Sequence, residues 1–140
     1  MSTRPALRRV INPDRIVLEP AFENVAAARR FVVDRLEGLE LNAELIDDLR
    51  LATSELVTNA VEHGEARPVV VELGVDSDVV SLSVTSHSRG DAIGPVSDWA
   101  VAGAAEVAGR GLGIVRSLAD EVAVSRGDGC LTITVARQLN

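Results

Sequence analysis

The stretch LATSELVTNAVEHG (51–64) sets Glu55 and Asn59 four positions apart inside an otherwise apolar helical pattern. On a helix these two lie one above the other, with Asp48 and Glu62 near the same ridge. A carboxylate beside a carboxamide can hold a hydrated divalent cation and orient a nucleophile. Mg2+ suits such a pair, because it takes few protein oxygens, keeps several waters and draws its other ligands from phosphates. The plainer account of the pair is a solvated helix face, and that of His63 is a helix-end residue near the negative end of the dipole. Further along comes GRGLG (109–113), three glycines in five positions leading into an apolar run. If that run is a helix, backbone N–H groups at its start can point at phosphates, and the glycines permit close approach. Arg110 adds a fixed positive charge of the kind used on transferring phosphates. The plain alternatives are turn glycines and a solvent-facing loop arginine. A Rossmann fingerprint is excluded, since the preceding segment reads as loop and the third glycine is wrongly spaced.

Composition narrows the chemistry. All 14 basic residues are arginine, so mechanisms that need a lysine, such as a Walker P-loop, a Schiff base or an SxxK hydrolase, are excluded. A net charge of −7 argues against general nucleic-acid binding, which needs a basic surface to displace counterions, and suits a cytoplasmic protein that meets other proteins. The single cysteine, Cys130, can form neither an internal disulfide nor a zinc cluster and reads as a small apolar core residue near a strand start. No apolar run approaches a membrane span, and MSTRPALRRV lacks the apolar centre of a signal peptide. At 140 residues the chain is one domain with a real core.

The elements that must position these residues follow from periodicity. Residues 1–13, with Arg4, Arg8 and Arg9, read as a flexible arm before a domain at 14–140. RIVLEP (15–20) reads as a short strand closed by Pro20. Val25, Ala28, Phe31, Val32 and Leu36 have the spacing of a helix facing a core, with Gly38 as its stop. Asn42 can cap a second helix with Glu44 in its first turn; Leu45, Leu49, Ala52, Leu56 and Ala60 form its stripe and Gly64 its end. RPVVVELGV and DVVSLSVTS follow as strands about an Asp76-Ser77 turn, and the alternation of Val80, Leu82 and Val84 predicts one covered face. Residues 87–110 keep no sustained period and are long for a connection, the mark of a lid or functional loop. GLGIVRSLAD reads as a helix, then EVAVSR and CLTITVARQL as strands about Gly127-Asp128-Gly129. Helices between hairpins predict an α+β two-layer sandwich, helices on one face of a mixed, mostly antiparallel sheet.

SELVTNAVEHG resembles the N-box of the GHKL nucleotide-binding superfamily, and GRGLGIVRSLADEV resembles its later glycine box. That superfamily includes the ATPase domains of gyrase, chaperones, histidine kinases and MutL. Short length and element order resemble, within it, the bacterial anti-sigma factor serine kinases, from about Arg15 to the C-terminus. The resemblance implies the Bergerat fold, with 87–110 as the ATP lid. It implies that Glu55 is the general base or the carboxylate that orients water or serine, and that Asn59 coordinates Mg2+ bridging the ATP phosphates. Gly109, Gly111 and Gly113 would line the phosphate side, with Leu112 among them and Arg110 near the terminal phosphate. His63, Ser86 and Ser88 complete the implied ATP-binding set. The implied partners are a sigma factor and an anti-anti-sigma protein of the STAS type, whose serine is phosphorylated, with no direct contact to nucleic acid or membrane; a homodimer through the sheet side is a further expectation. A histidine-kinase catalytic module is a remoter alternative, since the chain carries no dimerisation and phosphoacceptor helices.

One position departs from the pattern. Where the family has D-x-G or D-x-S, its aspartate accepting from the adenine amino group, the chain has Ser86-His87-Ser88. Losing a charged acceptor costs about 1.5–3 kcal/mol, roughly ten- to more than a hundredfold in affinity. Asp91 stands nearby without the right spacing. The alternative expectation is therefore a protein-binding module of the same fold with weak or no nucleotide binding.

Overall fold

The computed structural model describes residues 13–88 and 107–139, with side chains from 111 onward in the second segment. The first strand, β1 (Asp14–Leu18), leads through a 3-10 turn at Phe22–Asn24 into α1 (Val25–Glu37). Next come α2 (Ala43–His63), the hairpin β2 (Val69–Val75) and β3 (Val79–His87), then α3 (Val107–Leu118) and the hairpin β4 (Glu121–Gly127) and β5 (Cys130–Gln138). The strands form one sheet in the order β1-β2-β3-β5-β4, and every pairing is antiparallel. The expected arm at 1–13 falls, but for Pro13, outside the described residues. So does most of the expected lid at 87–110: His87 closes β3, Ser88 follows it, and 107–110 open α3.

Local chemistry sets the boundaries. Asn42 caps α2, its side chain accepting from the Glu44 N–H at 2.7 Å. Asp76 turns the first hairpin by accepting from the N–H groups of Asp78 and Val79, both at 2.8 Å. Asp128 (φ 54°) and Gly129 (φ 75°) turn the second, the pair of left-handed residues that a type I′ turn requires.

The core lies between the sheet and the three helices. Val80, Leu82 and Val84 face it as their alternation predicts, and the α2 stripe Leu45, Leu49, Ala52, Leu56 and Ala60 is buried against it. The opposite face of the sheet carries paired hydroxyls instead: Ser83 with Thr134 at 2.9 Å and Thr85 with Thr132 at 2.8 Å. Cys130 departs from its expected core position. It opens β5 on that second face, half-buried, opposite His87 and Gly127, because strand parity and not side-chain type decides which face a residue joins. Among the described residues, no helix is long and apolar enough to cross a membrane.

Candidate functional site

Two helices meet at the candidate site. Apolar residues 45, 49, 52, 56 and 60 turn one side of α2 to the core, which leaves Glu55 half-buried at the margin of that contact and Asn59 on its inner side at 6% exposure. Leu112 and Val115 anchor α3 in the same core. With both helices fixed, Gly111 comes against Glu55: a Cβ built on Gly111 would lie 2.5 Å from Glu55 Oε1. The carboxylate occupies the space a Cβ would need, so any other residue here would push the Glu55 carboxylate out of this position.

The glycine cluster sits differently from expectation. The helix begins at Val107, so GRGLG forms its first turns and does not precede it. Burial of Leu112 and Val115 offsets the roughly 1 kcal/mol that each interior glycine costs a helix. The orphan N–H groups of α3 are then those of residues 107–110, which include Gly109 and Arg110, while Gly113 is buried further along. The side chain of Arg110 lies outside the described residues.

Asn59 Oδ1 is buried without a hydrogen-bond partner. A desolvated amide oxygen left so costs about 1–3 kcal/mol, a deficit that a donor or a cation would remove. Among the described residues no cluster of three or more His, Cys, Asp or Glu could hold a metal, so a cation here would rest on few protein oxygens. A lone carboxamide oxygen fits Mg2+ that keeps its waters and phosphate ligands, and the residues present therefore fit the ion the sequence implied.

The far wall is the end of β3. Ser86 is 4% exposed and shares the helix-facing side with Val80, Leu82 and Val84. It stands beside the end of α2 because the Glu65 N–H donates to the His87 carbonyl at 2.7 Å. Gly64 makes this junction possible. Its φ of −83° is open to any residue, but a Cβ there would collide with the Ala60 carbonyl oxygen and come within 3.3 Å of His87 O. Beyond β3, the Ser88 N–H donates to Gly129 O at 2.9 Å, tying Ser88 to the second hairpin turn.

Other residues fall elsewhere. His63 is exposed on the last turn of α2, and Glu62 is exposed beside it. Asp48, expected on the same ridge as Glu55, is bonded to Arg137 of β5 at 2.5 Å and so is structurally engaged. Neither Arg137 nor the Gly64–His87 junction was legible: one is a long-range ion pair, the other a close approach behind an ordinary helix-stop glycine.

This arrangement sets helices over one face of an antiparallel sheet, with Glu55 of α2 against Gly111 of α3. A histidine kinase-like ATPase domain profile matches residues 18–137, and the chain belongs to that family. Among curated relatives it is similar to serine-protein kinase RsbW of Bacillus licheniformis, 31% identical over 68% of this chain and 66% of the relative. It is also similar to an anti-sigma F factor of Clostridium perfringens, 33% identical over 49% of this chain and 51% of the relative. The match thus spans between half and two thirds of these relatives' lengths. The fold is shared with the RsbU and RsbW domain structure from Mycobacterium tuberculosis: TM-score 0.68 at 24% identity, covering 92% of this chain and 33% of that one. It is shared more loosely with the Acinetobacter baumannii histidine kinase AdeS, TM-score 0.54 at 14% identity, over 93% of this chain and 70% of that one.

Proposed function

We propose that this protein is an anti-sigma factor-like regulator that binds Mg-ATP and transfers its γ-phosphate to a serine of an anti-anti-sigma partner of the STAS type, controlling sigma factor availability. The observation that carries this is the apposition of Glu55 and Gly111, with the unpartnered Asn59 oxygen one helical turn away. The carboxylate of Glu55 accepts the proton of the incoming serine hydroxyl as its oxygen forms the bond to the γ-phosphorus. The bond from that phosphorus to the bridging oxygen breaks, and ADP leaves with the electron pair. Asn59 Oδ1 would hold Mg2+, which when bound would neutralise charge on the phosphates. Gly109, Gly111 and Gly113 let α3 lie close to the phosphates, and the N–H groups of its first turn face their negative charge. Ser86 and Ser88 line the adenine side. Such a site works by positioning and charge neutralisation, with no covalent intermediate on the protein. The relatives, a serine-protein kinase and an anti-sigma factor, support the reading.

The test is transfer of label from Mg-ATP to candidate STAS partners. Labelled serine that disappears in Glu55→Ala, with partner binding intact, is the expected result. No label on any cognate partner, with binding retained, defeats the kinase assignment. A second reading, a protein-binding module that uses little nucleotide, is favoured by Ser86, a short side chain with no carboxylate at the buried adenine wall. Calorimetric titration with ATP and ADP separates the two: micromolar affinity supports the kinase, and binding seen only in Ser86→Asp supports the module.

A further inference from the structure

Arg137 lies on the helix-facing side of β5, with its side chain 20% exposed. Its Nη1 donates both to Asp48 Oδ2 of α2 at 2.5 Å and to the carbonyl of Leu118, the last residue of α3, at 2.9 Å. Its Nε is 3.9 Å from Asp120, which accepts from the Gln138 N–H at 2.6 Å and whose own N–H donates to Ala136 O at 2.9 Å. One guanidinium therefore fastens the end of α3 to α2 and, through Asp120, to the sheet. It also meets the negative end of the α3 dipole.

The spacing gives this clamp a consequence. Asp48 precedes Glu55 by seven residues, and Leu118 follows Gly111 by seven. Seven residues are two helical turns, about 10 Å, so each pair shares a helix face. The two helices run antiparallel and touch at two matched points: Asp48 and Leu118 through Arg137, and Glu55 against Gly111. Among the described residues the second contact is a close approach without a hydrogen bond, and so depends on what fixes α3. We propose that Arg137 is a positioning residue for the nucleotide site, holding α3 in the register that sets Gly111 against Glu55 from two turns away. This rests on the reading of Glu55 and Gly111 as facing sides of that site.

The experiment compares Arg137→Gln with Arg137→Lys, which keeps charge and a donor. Controls are Arg50→Gln, which loses only an exposed pair with Asp47, and Leu36→Ala, a core cavity in α1. Two quantities are read where every variant is folded by circular dichroism: Mg-ATP affinity, and the distance between nitroxides at Leu51→Cys and Ser117→Cys in a Cys130→Ser background. Arg137→Gln should shift and broaden the distance and weaken Mg-ATP about three- to thirtyfold, the usual reach of such remote network changes. Arg137→Lys should recover most of both, and neither control should move the distance. An unchanged distance in Arg137→Gln overturns the proposal, as does a shifted distance with unchanged affinity, or an equal affinity loss in Leu36→Ala. If the unaltered site binds no Mg-ATP, the kinase reading falls, and the clamp is then decided by the distance alone. Should Arg137→Gln fail to fold, Asp48→Asn takes its place with the same expected outcomes.

Discussion

Glycine 111 separates stability from chemistry. Replacing a helical glycine with alanine ordinarily stabilises by up to about 1 kcal/mol. A Cβ at this position meets only the far end of the Glu55 side chain, which can swing aside. Gly111→Ala is therefore expected to keep or raise stability in urea while lowering phosphoryl transfer at least tenfold, as read by denaturation and a transfer assay on one preparation. Asn59 makes the complementary case. Its buried oxygen has no partner, so Asn59→Leu should be close to neutral for folding without ligand. The same variant should abolish the Mg2+-dependent part of ATP affinity, measured by titration with and without the ion. Either pairing would fail if stability and activity fell together.

Among the elements, α2 does most of the positioning, and its two ends are held by different chemistry. Asn42 caps the start, and at the far end Gly64 lets the chain pass against the carbonyl of His87. Gly64→Ala confronts two backbone oxygens, neither of which can rotate away. It should cost about 1–3 kcal/mol, in the range of overpacking, and weaken nucleotide binding by moving Asn59 relative to Ser86. Thermal melts and titration check the two effects. The sequence read this glycine as a helix stop, which it is, but its spatial reasons are the Ala60 carbonyl one turn back and the His87 carbonyl 23 residues away in β3. The α3 boundary was misjudged for a related reason. The sequence reading began the helix at Gly111, four residues late, because Gly109 and the aperiodic stretch before it argue locally against a helix, whereas burial of Leu112 and Val115 is a tertiary gain that so short a stretch cannot reveal.

At the scale of the whole molecule, one continuous core joins all three helices to one face of the sheet. Leu36 in α1 and Leu82 in β3 are both fully buried within it. Leu36→Ala and Leu82→Ala should each lower stability by about 2–5 kcal/mol, within a single urea transition of unchanged slope. Separate transitions for helix and sheet signals would contradict a single cooperative core.

By itself the sequence determined the order of helices and strands and most of the faces they bury, because these follow from periods of 3.6 and 2. Glu55, Asn59 and the glycine run stood out as candidates from residue types at short spacing, and the α+β sandwich was legible from the periods. Tertiary structure alone decided the rest. It paired Asp48 with Arg137 and not with the site, sent Cys130 to the outer face, left His63 exposed, and brought Gly111 against Glu55. Contacts between residues 56 or 89 positions apart are fixed by strand order and helix packing, which no local pattern encodes.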